Sequence, residues 1–154
     1  MERRNFLSLV GLGALALTVA PAAVRAEDFR KLKPTVWTAK TVEDAVKAMY
    51  GSDTATESGI TITTPDVAAS GGAVPVNVKS DLDLKSLTVF QNANPESTVI
   101  AFTIGKSSVV DYDMKMKLKS VGDPITITVI AEGNDGKLYK GTRTLNVALG
   151  GCEG

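Results

Sequence analysis

The sequence predicts an all-β domain, a two-layer antiparallel β-sandwich of about seven strands preceded by one short N-terminal helix. Three observations carry that expectation. A helical hydrophobic period is held in a single stretch, residues 41–51. Beyond it the chain breaks into short β-branched runs separated by Gly, Pro, Asn and Asp. One of those runs alternates between the two faces from Val110 to Lys119.

Taken in order, residues 27–40 are polar and basic, with Pro34 and one Trp, and read as an extended lead-in in which Trp37 is a packing residue. In the helix, Val42, Ala45, Val46, Met49 and Tyr50 share one face while Glu43, Asp44 and Lys47 take the other. Thr41 suits the N-cap, the two acids suit the positive end of the helix dipole, and Gly51 suits a left-handed stop. Strands are expected near 59–64, 74–79, 86–92, 98–104, 109–120, 125–131 and 137–148. In the fifth, Val110, Tyr112, Met114, Met116 and Leu118 should face the core and Asp111, Asp113, Lys115, Lys117 and Lys119 the solvent. Asp135-Gly136 is a hairpin signal that pairs the last two strands antiparallel. Seven short strands of this kind fit a sandwich of immunoglobulin-like type. Such a sandwich has open edges that an exported protein must guard or pair with another chain, so a partner is expected. The apolar residues fall at inward positions, and no pocket of convergent polar groups can be drawn.

Composition narrows the chemistry. The 154 residues suffice for one domain and include no His and one Cys. Without His there is no Ser-His or Cys-His nucleophile, no imidazole base and no His-containing metal site. A lone Cys allows no internal disulfide, no C-x-x-C pair and no chain-internal iron–sulfur cluster. No cofactor and no metal are expected, and the remaining roles are binding, carrying or scaffolding.

Residues 1–26 read as an export signal: Arg3-Arg4 with Phe6-Leu7 behind it, an apolar run broken by Gly11 and Gly13, and Val24-Arg25-Ala26 before the cut. The run is short for a membrane anchor, which needs about 20 apolar residues. The arginine pair favours twin-arginine export over the general secretory route, and either implies the periplasm. Cleavage takes three basic residues and one acidic residue from a balance of 17 to 17, leaving a formal charge of −2. With no basic cluster besides, nucleic acid is not an expected partner, nor is a membrane after cleavage.

The one unusual place is the end. After the sandwich domain at 27–149 come Gly150-Gly151-Cys152-Glu153-Gly154, so the only thiol stands third from the terminus on a tether without packing side chains. The segment 150–154 is expected to be a flexible arm with Cys152 exposed. An exposed unpaired thiol invites disulfide exchange in an oxidising compartment, which asks for a reason. At about 3.3–3.6 Å per extended residue, the arm can hold its sulfur on the order of 15 Å from the domain and thread a narrow channel. Glu153 and the terminal carboxylate of Gly154 disfavour the thiolate, so activation should come from a partner offering basic residues or a metal.

These residues resemble a family, the SoxY subunit of the SoxYZ carrier of the bacterial thiosulfate-oxidising system. The likeness spans nearly the whole chain. It rests on Arg3-Arg4, the helix Thr41-Val42-Glu43-Asp44-Ala45-Val46-Lys47-Ala48, Gly72-Ala73-Val74-Pro75-Val76, the Asn94-Pro95 turn, Asp135-Gly136-Lys137-Leu138-Tyr139 and, most specifically, Gly150-Gly151-Cys152. The resemblance implies an immunoglobulin-like sandwich paired with a SoxZ-like subunit in a heterodimer or heterotetramer. It implies a swinging arm with Cys152 as the covalent attachment point and Gly150 and Gly151 as the hinge. The enzymes it implies are a thiosulfate-conjugating c-type cytochrome, a sulfate-releasing hydrolase and, in some organisms, a sulfur dehydrogenase. One position departs from the pattern: the family's usual ending is Gly-Gly-Cys-Gly-Gly, and here Glu153 follows the thiol. Two other readings compete, an exported interaction module whose Cys152 only crosslinks subunits, and an independent thiol enzyme, which the absence of His disfavours.

Overall fold

The computed structural model describes residues 27–119 and 122–148. In that span lie two helices, α1 (Phe29–Leu32) and α2 (Val42–Tyr50), and nine strands. The strands are β1 (Thr56–Glu57), β2 (Thr61–Thr63), β3 (Val67–Ala68), β4 (Val74–Ser80), β5 (Leu84–Gln91), β6 (Thr98–Thr103), β7 (Val110–Met116), β8 (Ile125–Gly133) and β9 (Leu138–Val147). One sheet runs β1-β9-β8-β5-β6 with β3 also on β9, and a second runs β2-β4-β7. The expected sandwich is present.

Its core forms because β4 and β8 obey the period of two. Val74, Val76 and Val78 from one sheet meet Leu87, Val89, Ile125, Ile127, Val129 and Leu145 from the other, all essentially buried. The sheet's outer face is covered in part by α2, whose Ala45 and Val46 pack on Phe90 and Ile130. That second covering explains why β5 and β8 are buried on both faces along most of their length. The helix is built as its residues dictate. Thr41 accepts from the Asp44 amide at 3.1 Å, and Gly51, at φ 75°, closes the C-terminal end with its amide on the Lys47 carbonyl. The β8–β9 hairpin turns at Gly136, where φ is 79°, and its strands are antiparallel from Ile125↔Leu145 to Glu132↔Leu138.

Three expectations need correction. The lead-in at 27–40 is not extended: α1 and a 3₁₀ turn at Pro34–Trp37 fold it onto β6, with Asp28 capping α1 and Thr98 Oγ1 donating to the Val36 carbonyl at 2.8 Å. The segment is held by Phe29, Val36 and Met49, a cluster too dispersed in sequence to show a period. Trp37 packs against it as anticipated, with the Arg30 guanidinium 4.1 Å above the ring. The fifth strand ends at Met116 rather than continuing to residue 120; past it, Asn94 takes over the backbone pairing through the Lys117 carbonyl and the Lys119 amide. Finally, the strand expected near 59–64 is there as β2, but two further short strands, β1 and β3, flank it and the three form a strap.

That strap determines which sides of the sandwich are open. β1 runs parallel to β9 at Tyr139 and Lys140, β2 crosses to pair β4, and β3 returns to β9 at Asn146 and Val147. Gly141 is required beneath it, because a Cβ there would come within 3.0 Å of Ile60. The β9 side is thereby closed. On the other side β6 and β7 end their sheets with no further strand among the described residues, and Phe102 stacks on Tyr112 across them at 4.7 Å.

Candidate functional site

The arm residues Gly150, Gly151, Cys152, Glu153 and Gly154, like Arg3 and Arg4 of the leader, lie outside the described residues. The site is therefore read from the place where the described chain ends, Ala148, four residues before the thiol. At full extension that separation is on the order of 14 Å.

The end of β9 is held on both flanks. On one, Ile125 of β8 pairs Leu145, whose side chain is buried in the core. On the other, the Asn146 amide donates to the Asp66 carbonyl at 2.9 Å and the Ala148 amide to the Ala68 carbonyl at 2.8 Å. Arg143 adds an ion pair with Asp66. Asp66 is largely exposed and Arg143 partly so, and the pair orients the strap more than it stabilises it.

Below Ala148 the chain 68–73 is made of Ala, Ser and Gly alone, and small residues are what the geometry needs. Ser70 accepts from the Gly72 amide at 3.1 Å and starts a 3₁₀ turn at Gly71–Ala73. The Gly71 carbonyl accepts from the Leu118 amide at 2.8 Å, and a Cβ on Gly71 would stand 2.0 Å from the Leu118 carbonyl oxygen. No other residue fits there without moving backbone. The turn, strand β3 and the last pair of β9 thus form one shelf around the point where the chain leaves. In the sequence, residues 70–72 fall between the strands expected near 59–64 and 74–79. The run of small residues was the available signal, but nothing local says which strand it would lie against.

Elsewhere several polar side chains are bonded in ways that build the fold. Asn77 Nδ2 donates to Asp111 at 2.8 Å and Asp113 at 2.9 Å; with Lys79 at 3.1 Å, it holds the Asp111 carboxyl below its usual range. Gln91 is buried and spends its amide on the Ala93 and Asn94 amides and the Glu96 carbonyl. Among the described residues no cluster of His, Cys, Asp and Glu is arranged to hold a metal ion, and no helix is long and apolar enough to cross a membrane.

Comparison with known proteins agrees with this geometry. The family described as sulfur oxidation protein SoxY matches residues 46–152. The chain is similar to the sulfur carrier protein SoxY from Chlorobium limicola f. thiosulfatophilum, at 26% identity and a TM-score of 0.63, over 73% of this chain and 96% of that one. A superoxide reductase (neelaredoxin) from Ignicoccus hospitalis shares the fold alone, at 13% identity and a TM-score of 0.51 over 59% of this chain and 81% of that one. No curated protein matches. With most of its length matched, from the helix through the strap to the terminal thiol, the chain belongs to the SoxY family of sulfur oxidation proteins.

Proposed function

We propose that this protein is a covalent carrier in thiosulfate oxidation, holding sulfur intermediates on Cys152 and presenting them to partner enzymes. The observation that carries the reading is that the family match runs on past the sandwich and ends on the chain's one thiol. The division of labour follows: the sandwich holds the end of β9 still, and chemistry happens beyond it.

The cycle is written on Cys152. Its thiol and thiosulfate are joined through a new S–S bond, Cys–S–S–SO₃⁻, with loss of the thiol proton and two electrons to a c-type cytochrome. Water then cleaves the S–SO₃ bond, giving hydrogen sulfate and leaving Cys–S–SH; a sulfur dehydrogenase can oxidise that sulfane. An isolated thiol titrates near 8.5, and the carboxylate of Glu153 beside it disfavours ionisation, so the arm is quiet until an enzyme supplies positive charge. The carrier itself is not an enzyme. A SoxZ-like subunit completes the particle in the periplasm, the twin-arginine leader exporting the folded pair.

Intact mass tests this. Protein from cells using thiosulfate should carry sulfane and thiosulfonate additions that reductant removes and Cys152→Ser abolishes, and it should copurify with a small second subunit. Only unmodified monomer and a doubled mass would instead make Cys152 a crosslink.

A further inference from the structure

Val67 is a large apolar side chain left 59% exposed, and it stands beside the last pair of β9. With Pro65, Ala69, Ala73 and Pro75 it lines a shallow concavity of about 420 Å³ that has no ionisable side chain in its walls. A second hollow of about 520 Å³ continues from it across Pro65 and Pro75 to Met114, and charge enters only there, with Asp113 and Lys115. The surface is held in place rather than loose. Strand β3 is tied to Asn146 and Ala148, and the Gly71 turn is wedged on Leu118.

We propose that this shelf is the docking surface for the enzymes that act on Cys152, and that it fits a partner whose channel mouth is ringed by apolar, uncharged side chains. The inference rests on the carrier reading above. The length of chain past the shelf chooses the occupant. Cys152 lies four residues beyond Ala148, so its reach is on the order of 14 Å. An enzyme that draws the thiol into an internal site spends most of that reach on its own channel, and its rim must then rest against the surface around Ala148. What it meets there is Val67 and its neighbours. An apolar contact of this kind is insensitive to salt and to the charge of the cargo, so enzymes taking the arm at different stages can share it.

The full-length protein, thiosulfate and a thiosulfate-conjugating c-type cytochrome test the proposal, with conjugation followed by intact mass. Val67→Glu and Val67→Lys are compared with Ser107→Glu, which lies on the β6–β7 turn at the opposite end of the sandwich. Both changes at 67 are expected to lower kcat/KM by ~10-fold or more, because either charge is buried without a partner at the rim. Ser107→Glu, and alkylation of Cys152 by iodoacetamide in every variant, should stay close to wild type. Opposite effects of Glu and Lys would reveal simple attraction or repulsion of the anionic cargo, and that result, or unchanged kcat/KM in both, overturns the docking surface. Should either variant melt early, Ala73→Glu and Ala73→Lys carry the same expectation at a position outside the strands. Loading that survives Cys152→Ser overturns the carrier reading instead, whatever the Val67 variants do.

Discussion

Tyr50 sends its hydroxyl from α2 onto the sheet, 2.9 Å from the Thr88 hydroxyl and donating to the Ile130 carbonyl at 3.0 Å. Burial pushes this phenol up to about 12, against the bond to Thr88, which pulls it down. Since the unfolded phenol ionises near 10, holding it neutral stabilises the fold fully below that pH, and the contribution is lost as pH rises from 10 to 12. Its size is at most about 2–3 kcal/mol. Urea unfolding of the wild type should therefore weaken more steeply across that window than unfolding of Tyr50→Phe. At pH 7 the variant should be less stable by about 1–2 kcal/mol, for the partners left behind. Glu153 belongs to the same scale. On the carrier proposal its carboxylate would repel an anionic adduct on the neighbouring thiol, so Glu153→Gly should raise the conjugation rate at low salt, with the gap closing as salt is added. Equal rates at low salt would remove that role.

Strand β3 is only two residues long, yet it holds the end of β9 where the described residues stop. If it clamps β9 as the structure shows, the Asn146 and Ala148 amides, bonded to Asp66 and Ala68, should exchange hydrogen far more slowly than free amides. Exchange of Ala148 at the rate of an unstructured peptide would move the root of the arm back into β9. Elements differ in how far their residues announce them. α2 and β7 were legible because each carries a full period and, for α2, both caps, all of it local. The strap was not: β1, β2 and β3 are two or three residues each and gain their identity from β9 and β4, far along the chain. The same holds for α1, which exists because Phe29 finds Val36 and Met49.

At the scale of the molecule, one side of the sandwich is shut and the other is available. The strap covers β9, whereas β6 and β7, beside the Phe102–Tyr112 stack, have no further strand on their outer edges among the described residues. Among the described residues the core between the sheets is built from residues 68–145. Cys152→Ser is therefore expected to unfold at the wild-type urea concentration while losing all sulfur loading, and a large drop in stability would mean that the thiol packs into the domain.

The sequence alone determined the fold class, the single long helix, the hairpin at Gly136 and the presence of one thiol, because these depend on near-neighbour periodicity, on turn residues and on which side chains exist at all. Only the tertiary structure decided that a strap closes β9, that Gly71 and Val67 belong to one shelf, and that the shelf lies where the chain departs. Those are contacts between segments tens of residues apart, set by which surfaces meet when the core closes, and no local pattern encodes them.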